Sequence, residues 1–151
     1  MSAAGAERRW QDLIVDHSQF PRHHGSLEKP THHAEGENPL CGDRVRLYLD
    51  VGASGTIDKA RFEATGCAIS LASASLLATA IQGLKRDQAL QLFDQARAML
   101  TTGEAVSGID DAELEALRLI SRFPMRVKCA SLCWHTLRQA LRGAEGTVST
   151  E

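Results

Sequence analysis

The sequence predicts an α+β domain, a small and mostly antiparallel three-stranded sheet with about five helices packed mainly on one of its faces. Three observations predict it. Residues 44–51 and 57–65 alternate polar and apolar side chains at the period of a strand, with a glycine-bearing turn at 52–55 between them. Segments on both sides repeat apolar residues at helical spacing. Residues 68–82 form a run of small apolar residues, which suits a helix packed closely against its neighbours. At 151 residues the chain fits a single domain, 1–151, large enough to bury a core without disulfide staples.

Taken in order, residues 1–6 are small and polar and are expected to fray. A first helix is expected over 7–19, where Trp10, Leu13, Ile14 and His17 share a face, and Pro21 ends it. Residues 21–40 are rich in Pro, Gly and His and read as loop, with at most a short irregular strand near Ala34. Val45, Leu47, Leu49 and Val51 then line one face of a strand, and Ile57, Ala60, Phe62 and Ala64 line its partner. The turn between them exceeds the two-residue minimum, so the hairpin should be irregular. The 68–82 helix carries too many hydroxyls and is too short to cross a membrane, and Gly83 suits its C-terminal end. Ala89, Phe93, Ala96 and Leu100 place a further helix over 86–100. Asp110 and Glu113 stand at capping-box spacing ahead of Leu114, Leu117 and Ile120. Residues 84–124 thus read as a helical insertion. Phe123 and Pro124 should break that helix, and a last one should start near Cys129 and run to about Leu141. Residues 143–151 read as a flexible polar tail.

Composition excludes several functions. The net charge is −2, aromatics are 5% of residues, and no basic run is interleaved with them, so nucleic acid is not an expected partner. The N-terminus has no apolar core of a signal peptide and no segment suits a membrane span, so the expected location is the cytoplasm. In that reducing compartment the four cysteines are not expected to form disulfides.

Three of those cysteines stand where chemistry is favoured. Cys41 and Asp43 flank Gly42 at the start of a strand, and on an extended backbone residues two apart face the same way. Cys67 and Cys129 each fall at or near an expected helix start, where free backbone amides favour a thiolate, and Arg126 and Lys128 adjoin Cys129. Cys41, Asp43, Cys67 and Cys129 make a four-ligand set for a metal. With Zn²⁺ that set would carry a net charge of −2, which Arg126, Lys128 and the helix ends would offset. A carboxylate is the ligand least matched to zinc or iron–sulfur chemistry, so it points to a site that opens. The separations of 26 and 62 residues match no standard zinc-knuckle spacing.

Three segments carry a resemblance. Asn38-Pro-Leu-Cys-Gly-Asp43, Phe62-Glu-Ala-Thr-Gly-Cys-Ala-Ile-Ser-Leu-Ala-Ser-Ala-Ser75 and Arg126-Val-Lys-Cys-Ala-Ser-Leu132 resemble the signature segments of the IscU/NifU-N-terminal family of iron–sulfur cluster assembly proteins. Asp16-His17 with Pro21-Arg22 and Gly25 resembles the family's opening, so the likeness spans residues 7–142. The long stretch between Cys67 and Cys129, and Lys128 where IscU-type members carry His, resemble the SufU type. The resemblance implies a zinc ion on Cys41, Asp43, Cys67 and Cys129. It also implies a partner cysteine desulfurase of the SufS type, a pyridoxal-phosphate enzyme. Cys41 would accept persulfide sulfur from it for downstream assembly or acceptor proteins, and Arg126 matches a basic residue near the site. This is a sulfurtransferase-like acceptor rather than a stand-alone enzyme. The alternative role is a scaffold on which a [2Fe–2S] cluster is built and transferred. A third reading is a binding module with a purely structural zinc.

Other residues read more plainly. Cys133 falls on the apolar face with Ala130, Leu137 and Ala140 and reads as core, while a resolving-thiol role or a place as substitute ligand for Asp43 stays open. His23, His24, His32 and His33 read as solvated loop residues, His17 as a packed one and His135 as exposed. Ser73 and Ser75 read as close packing, with no base at a supporting spacing.

Overall fold

Four strands form one sheet in the spatial order β3-β2-β1-β4: β1 (His32–Asn38), β2 (Asp43–Val51), β3 (Ile57–Thr65) and β4 (Thr147–Ser149). The computed structural model describes residues 3–107, 112–143 and 147–149. β1, β2 and β3 are antiparallel, and β4 adds to β1 in parallel. The hairpin between β2 and β3 is irregular, with a register shift at Asp50/Val51. Five α-helices accompany the sheet: α1 (Ala3–Gln19), α2 (Ala68–Ile81), α3 (Arg86–Thr102), α4 (Leu117–Ile120) and α5 (Pro124–Arg142), with a 3-10 turn at Ala112–Ala116. The fold class is therefore the expected one.

One sheet face is apolar because period-2 alternation puts Val45, Leu47, Leu49, Ala60 and Phe62 on the same side, and the register shift at Asp50/Val51 brings Ile57 to it, all buried. α5 packs against β1 and β2, and α2 against β3 and α5. Leu76, Leu77, Ile81, Leu132, Trp134 and Leu137 complete that core. Each large side chain buried there contributes about 1.5–3 kcal/mol. The opposite face is charged, with an exposed Arg46–Glu35 pair at 3.0 Å. α2 is buried on nearly all sides, which is why its residues are small.

Four local expectations differ from the structure. β1 is a full seven-residue strand where loop was expected. Its inward residues are Ala34, Gly36 and Asn38, so the alternation lacks large apolar side chains. Gly36 is required there, because a Cβ would stand 2.2 Å from Thr136 Oγ1 on α5. Residues 3–6 belong to α1 rather than fraying, and the 143–151 tail contains β4. α5 begins at Pro124, not near Cys129. Proline is tolerated at the first helical position, whose N–H has no intrahelical partner. The expected capping box falls partly on Asp110, which lies outside the described residues.

Residues within the 84–124 segment are tied to α1. His17 Nε2 lies 3.1 Å from Glu113 Oε1, Arg122 pairs with Glu7, and the Arg118 guanidinium sits 4.9 Å from the Trp10 ring centre. His17 is packed and His24 and His33 are exposed, as expected, while His23 and His135 are less solvated than expected. His23 has φ +64 and contacts Gln82 and Arg61, and His24 packs edge-on against Phe62. His135 is half-buried against Phe93. Among the described residues, no helix is long and apolar enough to cross a membrane.

Candidate metal centre

Cys41 lies in the four-residue loop that closes the β1–β2 hairpin. Asn38 builds this loop: its carbonyl accepts from the Cys41 and Gly42 amides at 3.3 and 2.8 Å, and its side-chain Oδ1 accepts from the Leu40 amide at 3.1 Å. Gly42 has φ +75, so Cys41 and Asp43 converge through a turn and not through extended backbone, as the sequence had suggested. Cys41 is exposed and its Sγ lies 3.1 Å from Asp43 Oδ2.

Asp43 opens β2 with its side chain inward and fully buried. Oδ1 accepts the Cys67 amide at 2.8 Å, and Oδ2 lies 3.5 Å from Cys67 Sγ. Room for this carboxylate comes from Gly66, where a Cβ would stand 1.8 Å from Asp43 Oδ1. Burial alone would raise the Asp43 pKa. Hydrogen bonds from the Cys129 thiol, the Cys67 amide and the Cys41 and Cys67 thiols outweigh it and hold the carboxyl below its ordinary value.

Cys67 is the N-cap residue of α2, as expected. Cys129 is not at a helix start, since it sits in the second turn of α5, buried, with Sγ 3.6 Å from the Met125 carbonyl. Burial, then hydrogen bonding to Asp43, Cys41 and Cys67, pushes its thiol up, opposite to the expectation drawn from free helix amides. Cys41 Sγ and Cys129 Sγ are 3.4 Å apart. Donor atoms of Cys41, Asp43 and Cys129 all lie within 4.8 Å of one another, and Cys67 joins them through Asp43. Two close thiols and a buried carboxylate, with a third thiol beside the carboxylate, suit a thiophilic dication.

Arg126 is exposed in the first turn of α5, and no side-chain ion pair of it is formed among the described residues. Cys133 lies one turn deeper than Cys129, in the core. Its Sγ is 3.4 Å from Ser73 Oγ and 3.5 Å from the Ala130 carbonyl, and burial pushes its thiol up to about 12. It is remote in character from a ligand or a reactive thiol. Ser73 was legible only as a small residue. In the fold it donates to the Ala130 carbonyl at 2.6 Å and accepts from Trp134 Nε1 at 3.1 Å, joining the two helices that bear Cys67 and Cys129. Ser75 likewise meets His17 Nδ1 at 2.7 Å and the Arg22 amide at 2.8 Å.

Comparison with known proteins places this arrangement. A family model described as the NifU-like N terminal domain matches residues 9–143. The zinc-dependent sulfurtransferase SufU of Bacillus subtilis (strain 168) is 36% identical over 143 residues, covering 95% of this chain and 96% of that one. The iron–sulfur cluster assembly scaffold protein IscU of Thermotoga maritima is 37% identical over 136 residues, covering 88% and 92%. Among solved structures, FiSufU of Fervidobacterium islandicum AW-1, described as an iron–sulfur cluster assembly scaffold protein for the SUF system, superposes with a TM-score of 0.79 at 34% identity. The match covers 86% of this chain and 94% of that one.

Proposed function

This chain belongs to the NifU-like N-terminal domain family, and on that premise we propose that it is an iron–sulfur cluster assembly protein whose Cys41 accepts persulfide sulfur. The observation that carries this reading is the placement of Cys41: an exposed thiol on a glycine-hinged loop, 3.4 Å from a second thiol and 3.1 Å from a buried carboxylate. The donor is a cysteine desulfurase of the SufS type, a pyridoxal-phosphate enzyme carrying a cysteine persulfide.

Zinc fits the donor set, and Cys41, Asp43, Cys67 and Cys129 would hold it. Bound there, it would keep the thiols deprotonated and shield them from oxidation. The residues of the chain then divide the work. The Cys41 thiolate attacks the terminal sulfur of the partner's persulfide. A new S–S bond forms on Cys41, the old one breaks, and the partner leaves as a thiolate. Asp43, anchored by the Cys67 amide, fixes the loop end from which Cys41 reaches out. Arg126, exposed in α5 one turn before Cys129, offers a cation to the incoming anionic sulfur.

Cys41→Ala tests this. Stimulation of the desulfurase by this protein should vanish while the far-ultraviolet circular dichroism spectrum is retained. Mass spectrometry of wild type after mixing with desulfurase and cysteine should find the added sulfur on Cys41. Full stimulation by Cys41→Ala would overturn the reading.

The likeness to the IscU scaffold of T. maritima favours a second role, in which the same thiols receive a [2Fe–2S] cluster as cargo. Reconstitution with iron and sulfide should then give a cluster that passes to an apo-acceptor, and prior zinc loading should block it.

A further inference from the structure

The thiols around Cys41 are not equivalent. Cys129 Sγ is in contact with Cys41 Sγ at 3.4 Å, about 1.4 Å beyond the length of a disulfide. Cys67 Sγ lies outside the group of donor atoms mutually within 4.8 Å and reaches Asp43 Oδ2 instead. Cys133 Sγ is engaged with Ser73 and the Ala130 carbonyl in the core. On the other side of the pair, Cys41 is exposed in a four-residue loop, and beside it Gly42 has nothing within 4 Å of where a Cβ would project. The shortfall in distance can therefore be closed by the loop while α5 stays in place.

We propose that in the metal-free protein Cys129 is the resolving thiol for a persulfide on Cys41, releasing its sulfur as sulfide and leaving a Cys41–Cys129 disulfide. This rests on Cys41 being the sulfur acceptor. Cys129 sulfur attacks the Cys41 Sγ, the Cys41 Sγ–Sγ(Cys129) bond forms, and the bond from Cys41 Sγ to the outer sulfur breaks. The outer sulfur leaves as sulfide and takes up the proton from the Cys129 thiol. It is reduced by two electrons, and the two cysteine sulfurs together supply them, so no outside oxidant enters. Return to two thiols consumes one equivalent of a small dithiol reductant. Cys129 is unavailable for this attack while it serves as a ligand, so the ligand set doubles as the guard of the sulfur cargo. The chain then has a second activity, persulfide-to-sulfide conversion, that is exposed only when metal is lost.

The experiment uses the full chain, sulfurated in its zinc-loaded form by catalytic desulfurase and cysteine, freed of both, and then treated with a chelator. Intact mass is followed without reductant, and sulfide is measured as methylene blue. The first spectrum should show protein one sulfur heavier; its absence would count against Cys41 as acceptor and not against the resolving step. That species should decay to one lighter than the starting protein by two hydrogens, with one sulfide released per chain. Peptide mapping should find Cys41 joined to Cys129. Cys129→Ser should hold its persulfide at least roughly tenfold longer, and Cys133→Ser should behave as wild type. A sulfurated sample spared the chelator should keep the heavier species. A wild-type persulfide as durable as that of Cys129→Ser, or a disulfide mapped to Cys67, would overturn the proposal. If Cys129→Ser takes up no sulfur from the enzyme, loading with inorganic polysulfide supplies the same starting species, and the wild-type map decides alone.

Discussion

At the scale of single residues, the candidate centre depends on an atom that is missing. A Cβ on Gly66 would stand 1.8 Å from Asp43 Oδ1 and 2.8 Å from the Asp43 Cα, so turning the carboxylate away does not relieve the clash. The positive φ of +130 adds strain for any other residue. Gly66→Ala should therefore displace Asp43 and weaken zinc binding by at least roughly tenfold, about 1.4 kcal/mol, with all four thiols still titratable. Competition against a chromophoric chelator reads this directly, and unchanged affinity would show that Asp43 is not held as described. Cys133→Ala should do the reverse. It should leave sulfur acceptance and metal affinity alone and cost about 1 kcal/mol of stability, read by urea unfolding, because its thiol is only a packed core group. The residue types at the site were legible in the sequence, since thiols and a carboxylate beside glycines have few bland uses. Their causes were not. The need for Gly66 comes from Asp43, more than twenty positions away, and Pro124 can break a helix or begin one.

At the scale of elements, the β2–β3 hairpin and the helices announced themselves by period, and β1 did not. Its inward positions are Ala34, Gly36 and Asn38: α5 presses too close to Gly36 for a side chain and Asn38 builds the Cys41 loop, so the pattern that marks a strand is erased by what the strand serves. The joint between α2 and α5 was hidden in the same way, since a serine among alanines reads as small before it reads as polar. Ser73→Ala should leave Trp134 Nε1 and the Ala130 carbonyl without this buried partner, a cost of about 1–3 kcal/mol. A fall in the urea midpoint with an unchanged slope would show it. The α3–α5 joint makes a different prediction. His135, half-buried against Phe93, is held below its ordinary pKa by burial first and then by Arg138 and Arg97. The folded state resists protonating it, so the unfolded chain binds the extra proton as pH falls below about 6.5, and stability falls with it. His135→Gln should flatten the drop in melting temperature between neutral and mildly acidic pH. An unaltered slope would assign that acid sensitivity to other groups, such as His23, whose pKa burial and Arg61 also lower.

At the scale of the whole molecule, the question is whether the candidate metal holds the fold or only the site. The four ligand candidates come from the β1–β2 loop, the start of β2, the turn into α2 and the second turn of α5, so a bound ion ties the ends of several elements together. The core that those elements share lies elsewhere. Val45, Leu47, Leu49, Phe62, Leu76, Leu77, Leu132 and Leu137 are buried against one another through the sheet and both helices. The site also has a way to satisfy its own charge. Oδ1 of Asp43 keeps the Cys67 amide, and the protonated thiols of Cys41 and Cys67 donate to Oδ2, so removing a cation does not strand a buried carboxylate. A small zinc-dependent module behaves differently, because its ligands are most of its core. Chelation should therefore leave a cooperative thermal transition and an unchanged far-ultraviolet spectrum. The loss should be the linkage energy alone, about 4 kcal/mol if free zinc had stood a thousandfold above its dissociation constant. For a chain of this size that is a drop in melting temperature of about 8–16 °C, and a smaller one at lower zinc excess. Unfolding on chelation, with loss of the cooperative transition, would make the ion a structural one and leave Cys41 no freedom to carry sulfur.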